Sequence, residues 1–256
     1  MSSEGAVVAV TCLAFEARIA LGPGVFVICD QASRLVAALD LAIKRGASGI
    51  ISFGIAGGLA PDLVAGDWIV GSAIRTKQEL FPTDHVWAQR ILELLPGAVH
   101  AEIVGVDSPV AEPLEKRRLH AETGAVAVDM ESHIAARIAA AHRVPFTSCR
   151  VIVDAAERDL PPAAMVGLRH DGTPNLLAVL GSLMQQPSQL AALTRTALDT
   201  RIALAALRRG RHLLGARLGF PEFSYGALDT LVTAKMNRPW RFLRSDLDLN
   251  NIATGY

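Results

Sequence analysis

Short runs of valine and isoleucine alternate with longer segments in which apolar residues return every three or four positions, and this alternation holds from residue 6 to about residue 155. The short runs predict strands at Val7–Val10, Val25–Cys29, Gly49–Phe53, Asp67–Ile74, Ala101–Val106, Ala125–Val128 and Phe146–Val153. Their apolarity is continuous rather than alternating, the mark of strands covered on both faces. The longer segments predict helices at Ser33–Lys44, Asp84–Leu95, Pro113–Glu122 and Glu131–His142, the last stopping short of Pro145. Such a succession predicts an α/β fold with a mixed, mostly parallel sheet under helices. From Thr173 to Leu214 two long helices broken near Pro187 are expected. After Gly215 the pattern dissolves: Phe220, Phe223, Tyr225, Trp240 and Phe242 stand among prolines, glycines and charges, and no element is predicted there. The expected organisation is one domain over residues 1–214 and a C-terminal extension over 215–256.

Composition narrows the function. A chain of 256 residues, 51% of them hydrophobic, buries one large core. Lys plus Arg and Asp plus Glu stand at 25 each, so no electrostatic footprint for nucleic acid is present and none is expected as a partner. Cys12, Cys29 and Cys149 sit in or beside apolar runs without the spacing of a zinc site or a disulfide framework. No metal or organic cofactor is expected. The N-terminus has no signal-like pattern and no run approaches the roughly 20 apolar residues of a membrane span, so a cytoplasmic protein is expected.

Candidate chemistry begins at Gly54-Ile55-Ala56-Gly57-Gly58, directly after a predicted strand. Three glycines in five residues are expected to form a tight turn whose backbone N–H groups approach a ligand, although a plain loop would read the same. The wider segment 54–70, GIAGGLAPDLVAGDWIV, resembles the signature of the methylthioadenosine and S-adenosylhomocysteine nucleosidases and their phosphorylase relatives. Val128-Asp129-Met130-Glu131 resembles the Met-Glu motif of that superfamily, and RVIVDAAERD, from Arg150 to Asp159, its strand-terminal Arg-x-x-x-Asp. Near the start, Glu16 falls where the nucleosidases carry a glutamate that activates water. The resemblance covers residues 6–185 and implies a three-layer αβα phosphorylase-like fold. The wordings VTCLAFEARIA (10–20), VDMESHIAARIAAAH (128–142) and LPPAAMVGLRHDGTPNLLAVL (160–180) are similar to the hopanoid-associated branch, which acts on adenosylhopane.

The residues fit the chemistry. Breaking an N-glycosidic bond builds positive charge on ribose and negative charge on the base, so a site needs an acid for the purine and a carboxylate near the sugar. Asp154, at the end of a buried strand, is the expected acid for N7, kept protonated by burial. Glu131 is expected to accept from the ribose hydroxyls and Glu16 to take a proton from water. Met130, Gly54, Ala56, Gly57 and Arg150 complete the expected substrate-binding set. Plainer roles would look alike in sequence: a strand-end cap for Asp154, a first-turn carboxylate for Glu131, an exposed helix-face residue for Glu16, core filling for Met130.

Several positions depart from the superfamily. Ile55 stands where the phosphorylases usually carry Ser or Thr, and Glu16 would repel a phosphate dianion, so water is the expected nucleophile. Arg18 and Arg150 keep a phosphorylase open as the alternative, and a binding protein without turnover is the third reading. Val153 replaces the hydroxyl residue that commonly orients the acid, and neither Cys29-Asp30-Gln31-Ala32 nor Val106-Asp107-Ser108-Pro109 offers an aromatic to stack on the base. Between 188 and 218, Leu190, Leu193, Ala197, Ile202, Ala205 and Leu213 alternate with Arg195, Arg201, Arg208, Arg209, Arg211 and Arg217. Such a helix either packs on the domain or rests on an anionic membrane surface, as a lipid-linked nucleoside substrate would require. By resemblance a homo-oligomer, a dimer at least, is expected.

Overall fold

The computed structural model of the chain describes residues 5–30, 32–165, 179, 182 and 184–221. Among them one sheet holds β1 (Val7–Thr11), β2 (Val25–Cys29), β3 (Gly49–Gly58), β4 (Trp68–Arg75), β5 (Leu80–Pro82), β6 (Val99–Gly105), β7 (Ala127–Asp129) and β8 (Phe146–Asp154). Helices α1 (Ala14–Ala20), α2 (Ala32–Lys44), α3 (His85–Leu94), α4 (Pro113–Thr123) and α5 (Ser132–His142) connect them, and a long helix, Leu190–Leu214, follows. The strands run in the order β2-β1-β3-β7-β6-β4-β5, with β8 paired to both β3 and β4. β8 thereby closes β3, β7, β6 and β4 into a ring. Parallel pairs (β1–β2, β1–β3, β3–β8, β4–β6, β6–β7) outnumber antiparallel ones (β3–β7, β4–β5, β4–β8). The sheet is mixed and mostly parallel, as the sequence predicts.

Two apolar clusters explain the continuous apolarity of the strands. Val8, Val10, Ile50 and Ile152 pack with Leu35 and Leu39 of α2 and with Ala135 and Ala139 of α5. Their sequence neighbours Val7, Ala9, Ile51 and Val151 pack on the other face with Trp87 and Ile91 of α3 and Ala203 and Leu207 of the long helix. Successive side chains point to opposite faces, and both faces are covered. This is the expected αβα layering.

Local signals set the helix limits. Asp84 caps α3 by accepting from Trp87 N at 2.9 Å. Pro113 opens α4 and Gly124, with φ 72°, closes it in the left-handed conformation. α5 starts at Ser132, one residue later than expected, because Glu131 holds non-helical angles and Asp129 Oδ1 accepts from Ser132 N at 3.1 Å.

Three features differ from the sequence reading. α1 was hidden because seven residues directly after a strand give too short a span for helical periodicity. β5 is a three-residue, partly exposed strand with no apolar run. Gly54–Gly58 is no tight turn: it is the second half of β3, still parallel to β8 and antiparallel to β7 at Gly57 and Gly58. The glycines serve close approach. A Cβ on Gly54 would collide with the Glu16 carboxylate.

The compact unit continues through Pro221. The residues after Leu214, expected to open the extension, pack on it: Trp87 Nε1 donates to Leu218 O at 3.0 Å, and the Phe220 ring meets Trp87 edge-on at 4.8 Å. The remaining tail, including Trp240 and Phe242, and most of the helix expected from Thr173 lie outside the described residues. No described helix is long and apolar enough to cross a membrane. Trp87 is completely buried and ties this segment to α3. Trp87→Ala is expected to lower unfolding free energy by about 3–5 kcal/mol in urea titration; a loss below about 1 kcal/mol would show that the segment does not depend on it.

Candidate active site

The ends of β1, β7 and β8 and the second half of β3 surround a cavity of about 640 Å³. Glu16, Ala56, Gly57, Met130, Glu131 and Asp154 all line it. Gly54 and Arg150 do not: they stand behind the wall and hold it in place.

Arg150, in the middle of β8, is fully buried. Its Nη2 donates to Ser52 Oγ at 2.5 Å and to Glu131 Oε2 at 3.2 Å, and Nη1 donates to Ile55 O at 3.3 Å. Nε stands 2.8 Å from Asp129 Oδ2 as an ion pair, outside hydrogen-bond alignment. Burial works against the charged guanidinium, but Asp129, Glu131 and Glu16 more than offset it and hold Arg150 as a cation. Asp129 is fixed in turn by the backbone and hydroxyl of Ser132, which also meets Ser52 Oγ at 2.8 Å and Ser148 Oγ at 3.2 Å.

Glu16 is buried rather than exposed, because α1 turns it inward under β3. Its Oε2 accepts from Cys12 N at 3.0 Å and Leu13 N at 2.8 Å, and Oε1 accepts from Ile55 N at 2.7 Å. The first two bonds make it the helix-capping carboxylate of α1. Burial raises its pKa above the ordinary carboxylate range, while Arg150 and these amides oppose the rise. Glu131 is raised for the same leading reason, with Arg150 opposing and Asp129 and Glu16 adding to the rise. Three carboxyl groups share one cation, so the cluster turns net negative as Glu16 and Glu131 lose their protons.

Asp154 ends β8 and is buried. Sequence reasoning left it without an orienting partner, since Val153 carries no hydroxyl. The structure supplies Lys116, from α4, whose Nζ donates to Asp154 Oδ2 and also to Ala155 O at 3.1 Å and Arg158 O at 3.0 Å. Burial raises the Asp154 pKa and Lys116 pulls it down, the net direction being upward. Nothing in Lys116-Arg117-Arg118 marked one of three consecutive cations as buried.

The rest of the lining is mostly apolar, with Phe15, Val106, Pro109, Val110, Leu160 and Leu193 among it, and it also includes Asp129, Thr196 and Thr200. Among the described residues no lysine or arginine lines the cavity. Arg18 lies instead in a separate groove with Arg208 and His212. The long helix divides the roles read from its sequence. Leu193 and Ala197 line the cavity, whereas Leu190, Leu198, Ile202 and Leu213 are exposed. Arg211, expected on the outer basic face, turns inward and donates to Ala20 O and Gly215 O.

The three raised pKa values have a stability consequence. The folded chain binds more protons than the unfolded one from the ordinary carboxylate range up to the raised values. Stability from these groups is full below that range and is lost as pH rises through the raised values. Glu131→Gln removes one such group, so its Tm is expected to fall less than that of the unaltered chain between about pH 5 and pH 9. Parallel Tm curves would contradict the assignment.

The sequence model of the phosphorylase superfamily matches residues 21–195. No curated protein matches the sequence. Among solved structures, the chain is similar to 5'-methylthioadenosine/S-adenosylhomocysteine nucleosidase from Helicobacter pylori, solved with butyl-thio-DADMe-Immucillin-A, at 13% identity and a TM-score of 0.60, covering 83% of this chain and 97% of that one. The corresponding nucleosidase from Colwellia psychrerythraea, in complex with adenine, gives 17% identity, a TM-score of 0.56 and coverage of 71% and 96%. Futalosine hydrolase of Helicobacter pylori gives 14%, 0.54, 78% and 99%. With the family model spanning more than half of its length and the fold shared across these structures, the chain belongs to the phosphorylase superfamily.

Proposed function

We propose that this chain is a purine nucleosidase that releases adenine from a 5'-substituted adenosine, with water as the nucleophile. The carrying observation is the cavity that gathers Glu16, Glu131 and Asp154 on a mostly apolar lining. In this reading Asp154 gives its proton to purine N7, Glu131 accepts from the ribose hydroxyls, and Glu16 takes the proton of the attacking water. The excess negative wall around Arg150 favours the positive charge that develops on the sugar. The same wall disfavours phosphate, and Arg150 stands behind it, with Nη1 and Nη2 donating to Ser52, Ile55 and Glu131 rather than into the cavity.

The base would lie against Val106, Pro109, Val110 and Val128 without an aromatic partner. Phe15, Leu160, Ala163 and Leu193 suit an apolar 5' group, which agrees with the resemblance to the branch acting on adenosylhopane. For that substrate the exposed Leu190, Leu198 and Ile202 beside Arg195 and Arg201 form a surface for contact with an anionic membrane. A dimer remains part of the proposal by resemblance alone.

The test is adenine release from a series of 5'-alkylthioadenosines in detergent. The kcat/KM is expected to rise by about fourfold per added methylene until the cavity is filled. Asp154→Ala is expected to reduce kcat by about 100-fold or more. No adenine from any member would leave a binding protein; release indifferent to chain length would remove the apolar 5' group from the account.

A further inference from the structure

Lys116 has no exposed surface at all, at 0%. Its neighbours on α4 are ordinary surface cations: Arg117 pairs with Glu157 and Arg118 with Glu122. Burying an ammonium is costly unless each donor is met. Here the acceptors are Asp154 Oδ2, Ala155 O and Arg158 O. A lysine needed only to hold the loop after β8 could be replaced by a neutral donor. The charge itself is aimed at the residue read as the acid.

We propose that Lys116 is a positioning residue that strengthens Asp154 as an acid, by holding the carboxylate left when Asp154 gives its proton to the purine. The inference rests on the nucleosidase reading of the cavity. In the step, a proton passes from Asp154 to N7 and the C1'–N9 bond breaks with its electron pair going to the base. Water forms the new bond to C1' and loses its proton to Glu16. Lys116 neither gives nor takes a proton in the step, so nothing further is consumed.

The surroundings explain why a counter-charge is needed. Burial favours the protonated carboxyl, and Asp199 of the long helix acts in the same sense. Asp199 is itself faced by Arg158 at 3.8 Å. β3 brings Gly57 and Gly58 against Asp154 and carries no charged side chain, and Asp129 and Glu131 are paired with Arg150. Among the described residues Lys116 is the one cation in contact with Asp154. Without it, the carboxyl would keep its proton too tightly to be a good donor.

The test compares the unaltered chain with Lys116→Gln, which keeps a donor for the loop carbonyls and loses the charge. Two quantities are read: the pH profile of kcat for adenine release from 5'-methylthioadenosine, and the titration of the Asp154 carboxyl by carbon-13 NMR. Lys116→Gln is expected to move the alkaline limb and the carboxyl titration upward together, by about 1–3 pH units, with a lower kcat below the limb and little change in KM. Lys116→Arg is expected to restore both toward their original positions. Should Lys116→Gln fail to fold, Lys116→Met serves in its place with the same expectation. Activity lowered equally at every pH, with the limb and the titration unmoved, would overturn the proposal. Absence of adenine release by the unaltered chain would instead overturn the nucleosidase reading, while the NMR titration, which needs no turnover, would still decide whether Lys116 acidifies Asp154.

Discussion

The buried guanidinium of Arg150 is the interaction on which the rest of the site depends. A cation at that depth persists only because Asp129, Glu131 and Glu16 surround it, and those carboxyls are tolerated there only because of it. The arrangement also fixes geometry. Arg150 reaches Ser52 and Ile55 of β3 as well as Glu131 at the start of α5, so β3, β8 and the β7–α5 junction are held by one side chain. Gly54 leaves the space in which Glu16 and Arg150 approach each other.

The same physics that stabilises this cluster suits it to the proposed chemistry. Three carboxyls with one cation form a wall prepared for positive charge, and no charge has to be reorganised when a ribosyl cation develops. At the other carboxyl, Asp154, the design is a separate ion pair with Lys116. In the proposed reading one group of carboxyls would face the sugar, while an acid with its own counter-ion would serve the base. The mostly apolar lining around them lowers the local polarity, which strengthens both sets of interactions.

Much of this was legible in the sequence. Apart from β5, the strands of the sheet announced themselves through their apolar runs, and the four helices predicted between residues 33 and 142 lie within a residue of their observed limits. Glu16, Glu131 and Asp154 were found through motif spacing and do share one cavity. What stayed hidden has physical causes. Residues that meet across the ring, such as Arg150 with Asp129 and Ser52, are far apart in the chain or carry no periodic signal. Lys116 sits in a polar helix where burial leaves no compositional trace. The glycine run read as a turn because glycine freedom and close packing between strands have the same sequence signature.

The most direct test of the account's central claim is the mass of the sugar product when the chain turns over a 5'-alkylthioadenosine in phosphate buffer. A free reducing sugar, formed at a rate indifferent to phosphate, is the predicted result. A sugar 1-phosphate would contradict it, and would mean that the negative wall around Arg150 admits the anion it is argued to repel.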